Sequence, residues 1–194
     1  MDQFLVGVKP VRWWLSVEQA RKKFDREPRF ERTLVFRETA SNTNERTCIA
    51  AVLPEQSAAS HKLTGVIVEH VDPDAAMTVL NSFCFDFALR LRTAGTNVSF
   101  TYIQPMPVPP AEVVNGLPKL ETRLAWKAGI GHISEDQTFW PALWNANKAV
   151  AEAYGLNTDD FRHILDAFPG FARKRLDFHA FLRVKIAEWA AEGR

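Results

Sequence analysis

The stretch Thr33–Leu53, TLVFRETASNTNERTCIAAVL, decides the fold of this chain. An apolar run, Leu34–Phe36, leads into Arg37 and then into a polar segment of Ser, Thr and Asn that ends at Arg46. A second apolar run, Cys48–Leu53, follows directly. Two short apolar runs separated by polar turn-forming residues are typical of two strands joined by a loop. We therefore predict a strand–loop–strand unit here.

Four side chains of this unit carry the donors and acceptors that read purine edges in a DNA major groove: Arg37, Asn42, Asn44 and Arg46. We predict that they contact bases or phosphates. The same residues also suit a solvated loop that is braced from within. In that interpretation Glu45 and Arg46 pair with the Arg37-Glu38 dipeptide across the hairpin. Both interpretations stay open on the sequence alone.

The basic residues of the chain are concentrated in two segments, although the net charge of the whole chain is small. The net charge is only +1 over 194 residues, but Lys9–Arg46 holds ten basic and six acidic residues. A second basic cluster lies at Arg173–Arg175. A nucleic-acid binder needs a basic face and not a basic total. We predict phosphate contacts from three consecutive cations, Arg21, Lys22 and Lys23.

Several classes of protein are disfavoured by what the sequence lacks. No apolar run approaches the roughly 20 residues that cross a bilayer, and the first residues have no secretory apolar core, so we predict a cytoplasmic protein without a membrane partner. Cys48 and Cys84 lie in apolar patterns, which predicts buried free thiols. The five histidines show no metal-ligand spacing, and no glycine-rich phosphate loop is present. We predict no catalytic activity, no cofactor and no metal.

The order of elements indicates an α+β fold. Residues 1–104 form a lobe in which a mixed or antiparallel sheet carries a packed helix. A proline-rich connector, 105–116, leads to a helical lobe, 117–194. Within the first lobe we predict helices at about 16–25 and 74–92 and strands at about 33–38, 47–53, 63–69 and 98–103. Ser16 and Gln19 have the spacing of a capping box at the start of the first helix, and Asp72-Pro73 supplies an N-cap and a proline at the first helical position of the second. Val98–Ile103 alternates in period two, with Phe100 and Tyr102 on one face that we expect to be buried. In the second lobe we predict helices at about 117–127, 136–153, 158–167 and 176–191.

Motifs along the chain resemble a known family. The segments that carry the resemblance are, in order, Phe36–Glu38, Thr43–Thr47, Ile49–Pro54, Leu80–Phe83 with Phe85-Asp86 and Arg90, Gln104–Pro110, Ala153–Leu156 and Ile164–Pro169. They look like the region that follows the adenine-specific DNA methyltransferase core in large fused restriction–modification proteins. The proline-rich segment is similar to the exit of the target recognition domain in those proteins, and a related exit occurs in specificity subunits of multisubunit restriction enzymes.

The resemblance implies a function. The chain would be the C-terminal target recognition region, with double-stranded DNA and a methyltransferase or restriction catalytic domain as partners. The Asn-Pro-Pro-Tyr type motif and the glycine-rich cofactor motif of those methyltransferases are absent. The expectation is a module that positions a methyltransferase or nuclease that this chain lacks. The alternative is a protein-interaction module that docks on a methyltransferase core and has little DNA affinity of its own.

Overall fold

The computed structural model describes residues 5–6, 16–24, 32–41, 43–55, 57, 59, 62–93, 95–120, 123–124 and 133–192. Its strands are β1 (Leu5–Val6), β2 (Thr33–Arg37), β3 (Ala50–Leu53), β4 (Leu63–Val66) and β5 (Arg123–Leu124). Its α-helices are α1 (Val17–Phe24), α2 (Pro73–Leu80), α3 (Phe83–Arg92), α4 (Phe100–Ile103), α5 (Ala111–Asn115), α6 (Trp140–Ala153), α7 (Thr158–Asp166), α8 (Pro169–Lys174) and α9 (Leu176–Glu192). The predicted α+β class, with a helical C-terminal region, is confirmed.

The main sheet has three antiparallel strands in the order β3-β2-β4. Leu34 pairs with Val52 on one side and with Val66 on the other. Because side chains alternate along a strand, Leu34 and Phe36 lie on the face that joins the core, while Val35 and Arg37 lie on the other face. A separate parallel pair joins β1 to β5. The strands predicted near 33–38, 47–53 and 63–69 are present in slightly shortened form.

Two polar residues divide the helix that the sequence predicted over 74–92. Asn81 uses its side-chain amide to bond both backbone groups of Ala50, accepting from its N–H and donating to its carbonyl at 2.9 Å each. Ser82 then caps α3 by accepting from the N–H of Phe85 at 3.1 Å. The single-helix prediction is wrong because Asn81 completes the edge of β3 and Ser82 starts a new helix.

The strand predicted over 98–103 is also wrong. Its extended part ends at Val98, whose N–H donates to the carbonyl of Glu38 at 2.7 Å. The chain then turns into α4, where the N–H of Gln104 donates to the carbonyl of Phe100 at 2.8 Å. The buried residues are Val98 and Ile103, whereas Phe100 and Tyr102 are exposed. The period-two pattern reflected those exposed aromatic residues and not a buried strand face.

The proline-rich segment packs against the rest of the protein. Met106 and Val114 are buried in the core, and the hydroxyl of Tyr154 donates to the carbonyl of Pro107 at 2.9 Å. The short helix α5 follows Pro110 and was not predicted. The helix predicted over 117–127 is wrong where the structure describes it, because 118–120 are not helical and 123–124 belong to β5.

The remaining helices follow the sequence more closely. The predicted capping box at the start of α1 is present, since Ser16 and Gln19 exchange hydrogen bonds of 3.0 and 3.1 Å. Asn157 caps α7 and forms a second capping box with Asp160. The helix α8 was not predicted. No helix in the described ranges is long and apolar enough to span a membrane.

One apolar cluster connects the sheet with the helices that follow the proline-rich segment. It runs from Leu34 in β2 to Ile186 in α9. At its centre the ring of Phe83 meets three other rings edge-on, with centroids 5.0 to 6.4 Å away. These rings belong to Phe161, Phe168 and Phe171, which bring α7 and α8 onto α3.

The two cysteines provide a test of this core. Both are free thiols inside it, and burial raises the pKa of Cys84 to about 12 and that of Cys48 well above its ordinary value. Because the thiolate is the reactive form, we expect neither thiol to react with a disulfide reagent in the native protein at about pH 8, where an ordinary cysteine reacts. Both should react in denaturant. Rapid labelling of either thiol under native conditions would contradict the packing described here.

Candidate functional site

Arg46 lies inside the protein. Only 6% of its surface is exposed. Its Nε donates to Asp86 Oδ2 at 2.7 Å, and its Nη2 donates to the carbonyls of Asn81 and Ser82 at 2.7 and 2.9 Å. The guanidinium carbon lies 4.1 Å from the centre of the Phe83 ring. The arginine therefore joins the loop after β2 to the junction between α2 and α3.

Asp86 is the acceptor at the centre of this arrangement. It is fully buried, and besides Arg46 it accepts from the N–H of Thr47 at 3.0 and 3.2 Å and from Arg90 Nε at 3.3 Å. A buried carboxylate without such donors would be unfavourable by several kcal/mol. Two guanidinium groups and one backbone amide satisfy it here.

Arg90 extends the network to the backbone of the loop. Its Nη2 donates to the carbonyls of Asn44 and Glu45 at 2.8 and 3.1 Å. Its guanidinium carbon lies 4.0 Å from the centre of the Phe168 ring, and that of Arg46 lies 5.5 Å from the same ring. Burial lowers the pKa of Arg90, and the neighbouring Asp86 opposes that effect. Phe168, two residues after α7, thus contacts both arginines that hold the loop. We call Arg46, Asp86, Arg90 and Phe168 the anchor cluster.

The helix α8 lies against the same loop. A Cβ atom on Gly170 would be 3.5 Å from the carbonyl oxygen of Thr43 and 3.6 Å from that of Asn44. Just beyond the other end of α8, Arg175 Nε donates to Glu45 at 2.7 Å, and its Nη1 donates to Glu135 at 2.6 Å. The loop and α8 are therefore neighbours along the length of this short helix.

This packing creates an exposed polar and basic surface. Thr43 and Asn44 are exposed on the loop, and Arg173 and Lys174 are exposed at the end of α8. The two cations lie three and four positions after Gly170, so helical spacing places them on the face of α8 that packs against the loop. Neither cation forms an ion pair with any residue that the structure describes. We call these four residues the loop face. The backbone of its loop is fixed from below by the anchor cluster, while its side chains remain accessible.

The predicted contact residues have different locations. Asn44 belongs to the loop face, and Arg46 belongs to the buried anchor cluster. Arg37 ends β2 on the sheet face away from the core; it is half-buried, and its Nε is buried without a hydrogen-bond partner among the described residues. Arg21 and Lys22 are exposed on α1. Asn42 and the side chain of Lys23 lie outside the described residues.

The bracing contacts differ from the pairing considered across the hairpin. Arg46 pairs with Asp86 and Glu45 pairs with Arg175, while Glu38 accepts from the hydroxyl of Thr64. Sequence reasoning missed Asp86. A signal was present, because an aspartate in the middle of the apolar helix Phe83–Leu89 needs a buried partner. No group of three His, Cys, Asp or Glu side chains within the described ranges could hold a metal ion.

Replacing Arg46 by alanine tests the anchor cluster. The change leaves Asp86 buried with less compensation, and we expect a loss of about 3–5 kcal/mol in the free energy of unfolding. The matched control Arg173→Ala removes an exposed arginine and should change stability by about 0.5 kcal/mol or less. Urea denaturation measures both.

A double-mutant cycle separates the ion pair from general damage to the core. Because the two residues act as a unit, Arg46→Ala combined with Asp86→Ala should cost much less than the sum of the single changes. Additive costs, or a loss below about 1 kcal/mol for Arg46→Ala, would show that the pair does not hold the loop.

Comparison of the chain with protein-family models, with curated proteins and with solved structures found no match.

Proposed function

We propose that this chain is the DNA target recognition module of a restriction–modification system, and that it positions a methyltransferase or nuclease core on its site. The observation that carries the proposal is the loop face, in which an exposed asparagine lies on a fixed loop beside two cations without ion-pair partners among the described residues. The resemblance of the motifs to target recognition regions supports the same function.

The fixed backbone of the loop suits base recognition. A side chain discriminates between bases only when its own position is held, since a bidentate contact depends on geometry. The loop is held on both sides of Asn44. Before it, the carbonyl of Ser41 accepts from the hydroxyl of Thr47 at 3.1 Å. At and after it, Arg90 donates to the carbonyls of Asn44 and Glu45, and Asp86 accepts from the N–H of Thr47. We therefore assign a base contact to Asn44.

The cations around the loop supply the sequence-independent part of binding. Arg173 and Lys174 lie beside the loop, and Arg21 and Lys22 are exposed on α1. Contacts of this kind orient a protein on the duplex and provide affinity, but they carry little sequence information. Arg46 takes a different part in the proposal, because its buried guanidinium supports the loop and leaves base contacts to exposed groups.

Salt dependence of DNA binding tests the role of the cations. With mixed-sequence duplexes, we expect the affinity to fall between about 50 and 200 mM salt, because each phosphate contact releases counterions. The plot of log K against log salt has a negative slope, and the double variant Arg173→Ala/Lys174→Ala should reduce its magnitude by about two. Fluorescence anisotropy on labelled duplexes measures the slope.

The matched control for this experiment is Arg183→Ala/Lys185→Ala on α9. It removes the same formal charge, but its two cations are paired with Asp166 and Glu188. We expect a smaller change of slope for it. Equal slopes for the two double variants would remove the loop face from the proposal. No binding of the full chain even at low salt would overturn the DNA-binding function and favour the docking alternative.

Sequence preference tests the role of Asn44. Selection of duplexes from a random library should give one preferred sequence for the unaltered chain. Asn44→Ala should lose the preference at one base pair, a difference of about 1–3 kcal/mol, because a bidentate amide contact is removed. The control Asn145→Ala removes an exposed asparagine from α6 and should select the same sequence as the unaltered chain. An unchanged preference in Asn44→Ala would contradict the assignment.

A further inference from the structure

A large apolar cleft opens beside β4. Its volume is about 450 Å³, and its walls come from 65–68, α2, α3, α4, the proline-rich segment and α5. Most of the lining side chains are aliphatic or aromatic, among them Val66, Leu80, Phe85, Met106 and Val114. The loop face contributes no residue to this lining. The cleft is therefore a separate surface of the protein.

Exposed apolar side chains gather at this cleft. Ile67, Phe100 and Val108 line it, and they are 60%, 44% and 57% exposed. Tyr102 and Val113 are further exposed apolar residues on α4 and α5, two of the elements that line the cleft. Scattered exposed apolar residues are ordinary, but a contiguous apolar surface marks a site of interaction. An occupant therefore covers more than the cavity itself.

One wall of the cleft is the edge of the sheet. β4 pairs with β2 on one side, and no described strand pairs with its other side. Gly65 is exposed in the middle of β4, and a Cβ atom there would make only an ordinary contact with Thr33, at 3.7 Å. The fold therefore accepts a side chain at this position, yet the glycine leaves the strand backbone uncovered. An uncovered edge next to apolar pockets is the arrangement to which an extended peptide adds as a further strand.

The charges around the cleft favour a basic occupant. None of the residues that line the cleft is a lysine or an arginine. Glu69 and Glu112 directly follow the lining residues Val68 and Ala111, and both are exposed without an ion pair to any residue in the described ranges. Asp72 is paired with Lys119 at 3.1 Å. Carboxylates repel a phosphate backbone and attract Lys or Arg side chains.

We infer that the cleft binds an extended segment of a partner protein, which adds to the outer edge of β4, places alternate apolar side chains in the cleft and carries a Lys or Arg at its flank. The strand edge supplies backbone hydrogen bonds, the cleft takes every second side chain, and Glu69 and Glu112 meet the basic flank. A small apolar ligand would fill the cavity, but it would leave the edge of β4 uncovered.

Selection from a phage-displayed library of short random peptides tests this site with the full chain as bait. We expect enrichment of peptides with alternating apolar residues and a terminal Lys or Arg. In anisotropy measurements, Ile67→Lys should lower the affinity for an enriched peptide by at least about tenfold, because it places a charge in the apolar cleft. The matched control Val184→Lys, an equally exposed aliphatic position on α9, should leave the affinity unchanged.

Two further measurements test the strand edge and the charges. Methylation of alternate backbone nitrogens of the enriched peptide should abolish binding in one of the two registers, because only one row of N–H groups faces β4. The double variant Glu69→Lys/Glu112→Lys should weaken binding of the basic peptide. It should strengthen binding of the same peptide with its Lys or Arg replaced by Glu.

Four results would overturn the inference: no enrichment, enrichment of acidic peptides, equal effects of Ile67→Lys and Val184→Lys, or binding of a small apolar dye that no enriched peptide displaces. DNA binding by Ile67→Lys should remain unchanged, so that failure at the cleft is distinguishable from failure at the loop face.

Discussion

The buried ion pair between Arg46 and Asp86 is the interaction on which the rest of the structure depends. The two residues are 40 positions apart, and their contact brings the loop after β2 onto the start of α3. Arg90 and Phe168 then add the loop backbone and the segment after α7 to the same cluster. Buried charges are often no more stabilising than apolar residues of similar size. Their value here is specificity, because two guanidinium groups and one carboxylate fit together in a single arrangement.

Local patterns in the sequence predicted the parts of the fold that local physics determines. These parts include the strand at 33–37, the capping box at Ser16 and the Asp72 cap with a proline at the first helical position. Each depends on residues that are close together in the sequence. The failures depend on distant partners. A helix ends at Asn81 because its side chain bonds Ala50, and Arg46 is buried because it pairs with the buried Asp86. A single sequence does not show which distant residues will pair, although an aspartate within an apolar helix indicates that it has a buried partner.

The candidate sites divide in the same way. The exposed asparagine of the loop and the cations of Arg173–Arg175 were evident from the sequence. Their proximity was not, because it depends on how α8 packs against Thr43 and Asn44. The apolar cleft was not predicted, because Phe100 and Tyr102 were assigned to the buried face of a strand. In the helix that they form instead, both side chains are exposed and Phe100 lines the cleft.

The two surfaces rest on the same helix. Phe85 lines the apolar cleft, while the next residue, Asp86, holds the loop through Arg46 and Thr47. Both side chains are nearly or fully buried, so neither surface can shift without disturbing the packing of α3. A partner segment seated beside β4 would therefore stand at a fixed position relative to Asn44. In the proposed function, a catalytic core must stand at a set distance from a recognised base pair, and the buried charges under the loop are a physical means of fixing that distance.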